Sequence, residues 1–152
     1  MPKRSGPGPA EPNCVAYSYE SSVFPKCDLA SGLLGPLILC RKGVLDKYRN
    51  KLDEIDKEFA TAYVILQEAD SHYFGENAAA CGPNRTNLGD SFFRTANTRF
   101  TMNGYSFQNI PHLFMKFNDK VAWHSYSLGS IAGEHTNHIH GLTFVTKTCK
   151  AF

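Results

Sequence analysis

Three of the six histidines of this 152-residue chain fall within six positions, in Glu134-His135-Thr136-Asn137-His138-Ile139-His140-Gly141. A single histidine in a strand is usually a satisfied polar residue. Three at this spacing point instead to a metal. The flanks are β-type, with Phe144 and Val145 after and Val121-Ala122-Trp123 before. On an extended strand successive side chains alternate faces. His138 and His140 then share one face and His135 takes the other, so the pair serves one site and the third a site behind it. No Asp or Glu follows Glu134. A carboxylate-assisted zinc or cupin-type site is therefore disfavoured, and ligation by imidazole alone suits copper or zinc.

The elements that must position these histidines read as β. Residues 14–19 are β-like, and residues 37–40 form a short apolar run suited to a buried strand. Residues 46–59 are charged, and with Leu45 just before them Tyr48, Leu52, Ile55 and Phe59 fall three and four apart, a stripe that allows at most a short surface helix. The apolar run Ala60-Thr61-Ala62-Tyr63-Val64-Ile65-Leu66 is expected to be a core strand. Residues 69–98 read as a long irregular excursion. Asn103-Gly104 signals a hairpin turn. Residues 113–117 and 120–127 flank a second hairpin signal at Asn118-Asp119. Strands this closely spaced predict a β-sandwich or Greek-key barrel. Residues 1–13 are Pro/Gly-rich and read as a linker, leaving residues 14–152 as the domain.

Hydrophobic residues make up 42% and charged residues 20% of the chain, enough for one domain with its own core. The net charge of +2, scattered rather than striped, argues against nucleic acid as a partner. No apolar run reaches membrane-spanning length, and the first residues lack the apolar core of a signal peptide. The five cysteines, Cys14, Cys27, Cys40, Cys81 and Cys149, show no CxxC spacing, which argues against a zinc ribbon or redox pair. Asn84-Arg85-Thr86 is a glycosylation sequon. Together these features lean toward an oxidising, secreted context.

Several stretches together resemble the ceruloplasmin/hephaestin family of multicopper oxidases: Arg4-Ser5-Gly6-Pro7-Gly8-Pro9, Asp28-Leu29-Ala30-Ser31-Gly32-Leu33-Leu34-Gly35-Pro36-Leu37, Asp56-Lys57-Glu58-Phe59, Met102-Asn103-Gly104 and His135-Thr136-Asn137-His138-Ile139-His140-Gly141. They occur in the family's order, and the match is to its last cupredoxin (plastocyanin-like) domain. The resemblance implies an all-β, cupredoxin-like Greek-key sandwich, incomplete at its C-terminus. It implies copper as cofactor, with His135 matching a blue-copper ligand and His138 and His140 matching ligands of a trinuclear copper cluster. It also implies a disulfide between Cys14 and Cys40, while the pairing of Cys27, Cys81 and Cys149 stays open.

By the same resemblance, a complete parent passes electrons from blue copper to the trinuclear cluster and reduces dioxygen to water. Its partners are further cupredoxin domains, dioxygen and an unidentified reductant, ferrous iron being the family's own. The setting is secreted, or the extracellular part of a membrane-anchored parent. Two departures stand out. The chain stops at Phe152, twelve residues after His140, before the family's HCHxxxHxxxxM stretch, so the chain alone is expected to be inactive. Thr95 and Phe100 stand where the family's ferroxidases place iron ligands. The alternatives are a non-enzymatic module like the A domains of coagulation factors V and VIII, which has no need of the histidine triple, and a truncated gene product. His124 is expected to be structural, and His72 and His112 to lie in surface loops.

Overall fold

The computed structural model describes residues 5–48, 55–81, 87–107, 109–128 and 137–144. Among them five strands run in the order β1 (Cys14–Glu20), β2 (Leu34–Cys40), β3 (Lys57–Gln67), β4 (Thr98–Met102) and β5 (Val121–Leu128). Three short helices lie between strands: α1 (Pro25–Ala30), α2 (Phe74–Cys81) and α3 (Ser91–Ala96), with a 3-10 turn at Glu68–Asp70. The expected all-β class holds. β1 and β2 form an antiparallel ribbon, and β3 is the centre of a second sheet, antiparallel to β4 and parallel to β5. The ribbon meets the second sheet where β1 approaches β5 and β2 approaches β3 and β5. This is a two-sheet arrangement consistent with the cupredoxin-like sandwich.

β3 forms because residues 59–66 are rich in aromatic and β-branched side chains, which pack well on a pleated surface. Phe59 stands opposite Trp123 across the parallel β3–β5 pair, with ring centroids 4.9 Å apart and planes tilted by 50°. Such aromatic cross-strand pairs contribute beyond their buried area. The buried side chains include as many polar as apolar groups: Cys14, Ala62, Val64 and Ala78 beside Asp28, Thr61, Thr101 and His124. A buried polar group is costly unless hydrogen-bonded, and each of these has a partner. Thr61 and Ser125 hydroxyls share a bond of 2.7 Å across β3–β5, and Thr101 Oγ1 donates to the Val64 carbonyl at 2.9 Å. His124 Nε2 meets Glu58 Oε1 at 2.8 Å.

α1 caps the closed end of the ribbon. Pro25 sits at its start, where a missing N–H costs nothing. Buried Asp28 then gathers three donors: Ser21 Oγ at 2.5 Å, the Phe24 N–H at 3.1 Å and His72 Nε2 at 2.7 Å. At the open end Cys14 and Cys40 are paired in register and joined by a disulfide, 26 residues apart in sequence. The pairing implied by the resemblance is therefore present. Before β1, the Arg41 guanidinium donates to the carbonyls of Gly8 and Glu11, so part of the Pro/Gly-rich segment lies down on the domain.

Several local expectations change. The helical stripe over residues 46–59 gives way to β3 from Lys57 onward, and residues 49–54 lie outside the described residues. The excursion at residues 69–98 carries α2 and α3. Phe92 N–H donates to the Asp90 side chain, which caps α3. Residues 113–117 are not a strand, although the turn after them is real, with Asn118 at φ 69°. The Asn103-Gly104 turn is also present, with φ 51° and 81°, the left-handed region that these two residue types tolerate best. Its partner strand shrinks to one bridge between Met102 and Tyr105.

Candidate metal centre

Residues 137–144 form no strand, which corrects the extended β-ladder expected for the histidine segment. Gly141 at φ 75° turns the chain, and the Leu142 N–H closes the turn on the Ile139 carbonyl at 3.3 Å. Local alternation is kept with no neighbouring strand among the described residues. Ile139 is half-buried between exposed His138 and His140. The two imidazoles lie side by side, with ring centroids 6.1 Å apart and planes at 64°. His135 lies outside the described residues, as do Asn84 and Cys149.

The segment is tied to the sheet by one bond that sequence reasoning missed. Tyr63 Oη, from the middle of β3, donates to the Asn137 side-chain oxygen at 3.0 Å. The partners are 74 residues apart, so no local signal announces the contact.

The donor chemistry and spacing fit an imidazole-type metal. With a metal–nitrogen bond of about 2.0–2.1 Å, two rings on one ion reach at most roughly 6.4 Å between centroids. The observed 6.1 Å lies within that reach, so the two imidazoles could help hold such an ion. Among the described residues no three His, Cys, Asp or Glu side chains converge for a metal, so the pair alone would make an incomplete ligand set.

The remaining singled-out residues separate by role. His124 is buried on β5 and bound to Glu58, a structural position. His112 is exposed in a loop. His72 is on the surface as expected, but its Nε2 is engaged by buried Asp28. Hydrogen bonds from Ser21 and then His72 hold the Asp28 carboxyl below the usual carboxylate range, against the opposing effect of burial. Cys27 and Cys81 are free thiols. Thr95 sits near the end of α3, and Phe100, on β4, is 71% exposed. Neither offers a strong ligand for iron.

No family model matches the chain. Individual proteins do. It is 38% identical over 148 residues to hephaestin of Rattus norvegicus, an alignment covering 95% of this chain and 13% of that protein. Ferroxidase HEPHL1 of Mus musculus is 32% identical over 147 residues, again 95% of this chain and 13% of the other. Ceruloplasmin of Rattus norvegicus is 36% identical over 143 residues, 93% of this chain and 13% of the other. The chain thus spans about an eighth of the length of the relatives it matches.

Proposed function

The chain is homologous, over nearly its whole length, to one stretch of the hephaestin- and ceruloplasmin-type multicopper oxidases, and from that premise we propose that it is a copper-holding cupredoxin domain that works within a longer oxidase. The observation that carries this reading is the adjacency of the exposed His138 and His140 rings. On this reading both belong to a copper cluster, and His135, outside the described residues, serves a blue copper. Copper, when bound, supplies one-electron exchange. The chain's own residues hold and orient it: the Tyr63–Asn137 bond steadies the segment, and half-buried Ile139 keeps the two rings facing outward.

The partners proposed are further cupredoxin domains, dioxygen and a reductant. Ferrous iron is the reductant suggested by the name of one relative, ferroxidase HEPHL1. A hydroxyl at Thr95 and an exposed ring at Phe100 do not favour iron capture here. We propose that the isolated chain does not oxidise ferrous iron. The setting proposed is extracellular, supported by the Cys14–Cys40 disulfide, since such bonds persist in oxidising compartments. No described helix is long and apolar enough to cross a membrane.

Titration with Cu(II), followed by absorption and paramagnetic resonance, tests the reading. The expected result is an imidazole-type copper signal without a strong blue thiolate band. Replacing His138 and His140 together by Ala should weaken binding by at least about tenfold, the loss of roughly 1.4 kcal/mol or more. Copper binding untouched by the double replacement would overturn the assignment, and copper-dependent ferrous oxidation above that of free copper would overturn the inactivity.

A further inference from the structure

A cleft of about 210 Å³ opens at the Gln67 end of β3 and is lined by Lys26, Gln67, Asp70, Arg94, Thr95 and Thr98. Its one carboxylate, Asp70, has both oxygens engaged: Lys26 Nζ lies 3.0 Å from Oδ2 and Arg94 Nη2 lies 3.1 Å from Oδ1. Exposure separates the partners. The Asp70 side chain is 11% exposed, against 73% for Lys26 and 41% for Arg94. The acid is thus turned inward and the bases outward. The guanidinium is also steadied over the Phe74 ring, 5.7 Å from its centroid, a favourable cation–π placement.

Two cations against one carboxylate leave this wall with a surplus positive charge. The guanidinium carries five N–H donors and gives one to Asp70. The Thr95 and Thr98 hydroxyls and the Gln67 amide add neutral donors to the same lining. A divalent cation here meets two like charges and a carboxylate already neutralised. An oxyanion meets two cations and several donors. Half-exposed ion pairs hold their partners weakly, so Lys26 and Arg94 can turn to an incoming anion at small cost. We propose that this cleft binds a small oxyanion, a phosphate or carboxylate group, gripped by Arg94 and Lys26 and hydrogen-bonded by Thr95, Thr98 and Gln67. This site is independent of the histidine segment and of any copper bound there.

The test is a titration of the whole chain with sodium phosphate, then sodium acetate, at ionic strength matched with sodium chloride, read by the backbone amide resonances of Gln67, Thr95 and Thr98. Phosphate should move these signals along a saturating curve. Saturation by acetate as well identifies a site for either oxyanion; saturation by phosphate alone identifies a site for the dianion. Arg94→Gln should weaken binding by about tenfold, as expected for a charge-assisted contact. Because Arg94 also anchors Asp70 and Phe74, Thr95→Val provides a second variant that leaves both ion pairs intact and should weaken binding by about threefold. Three results would each overturn the proposal: shifts no larger than those in sodium chloride, saturation unchanged in both variants, or magnesium chloride moving the same amides more than phosphate does.

Discussion

Tyr63 and Asn137 are joined by a 3.0 Å hydrogen bond between the centre of β3 and the segment that carries His138 and His140. The bond links the three-stranded sheet to a piece of chain that has no ladder partner among the described residues. Its removal should be felt at the histidines more than in the fold. Tyr63→Phe should cost about 0.5–1.5 kcal/mol of stability, the net worth of one such bond, while weakening copper binding several-fold. Parallel copper titration and thermal unfolding would separate the two effects. Equal copper affinity in the variant would show that the tether does not order the site.

The Cys14–Cys40 bridge closes a loop of 26 residues. The chain-entropy estimate for a loop of that size is about 3.5 kcal/mol. Reduction, or replacement of both cysteines by Ser, should lower the urea midpoint by that amount divided by the denaturant slope. Denaturation curves with and without reductant would measure it. An unchanged midpoint would mean that the reduced, unfolded chain keeps the ribbon's ends together.

Asp28 should set part of the acid limb of stability. Its carboxyl is held low in the folded chain by Ser21 and His72, and an unfolded aspartate titrates near about 3.9. A group depressed on folding contributes its stability above the unfolded value and loses it as pH falls through the folded one. The contribution should be intact at neutral pH and decay below about pH 4. Unfolding midpoints taken between neutral and strongly acidic pH should fall less steeply for Asp28→Asn than for the parent chain.

His124 should behave as a structural residue. It is 7% exposed and its ring nitrogen meets Glu58 at 2.8 Å. His124→Ala removes a buried, hydrogen-bonded ring and should cost about 2–3 kcal/mol. Copper affinity at low temperature, where the variant remains folded, should not change. A matched loss of copper binding there would place His124 among the ligands.

How much of this was legible depended on whether the deciding contact was local. β1, β2 and β3 declare themselves through apolar and β-branched runs, and the Asn103-Gly104 turn through residue types that accept positive φ. What Asn103 does beyond the turn was not legible. Its side chain accepts from the Ala62 N–H at 2.7 Å and donates to the Ala60 carbonyl at 2.9 Å, extending the β3 ladder where a strand residue would otherwise stand. α2 and α3 were hidden because they are one or two turns long inside a stretch punctuated by Gly and Pro. The histidine segment was misjudged in the opposite direction. Alternating side chains suggested a strand, but alternation needs only an extended backbone, and a ladder needs a neighbour that the segment does not have among the described residues. His72 gave no sign of its bond to Asp28, 44 residues away in sequence.

The closure of the β1–β2 ribbon has a mechanical consequence. α1 bridges one end and the disulfide the other, so residues 14–40 form a covalent ring. Force applied along the chain enters at Cys14 and leaves at Cys40 through sulfur, and the ribbon between them bears none of it. In a single-molecule pulling experiment the oxidised chain should come up short by the contour length of the 26 residue steps from Cys14 to Cys40, about 85–95 Å at full extension. Adding reductant under load should cut the bridge, after which the ribbon unzips from its cysteine end toward α1 and releases that length.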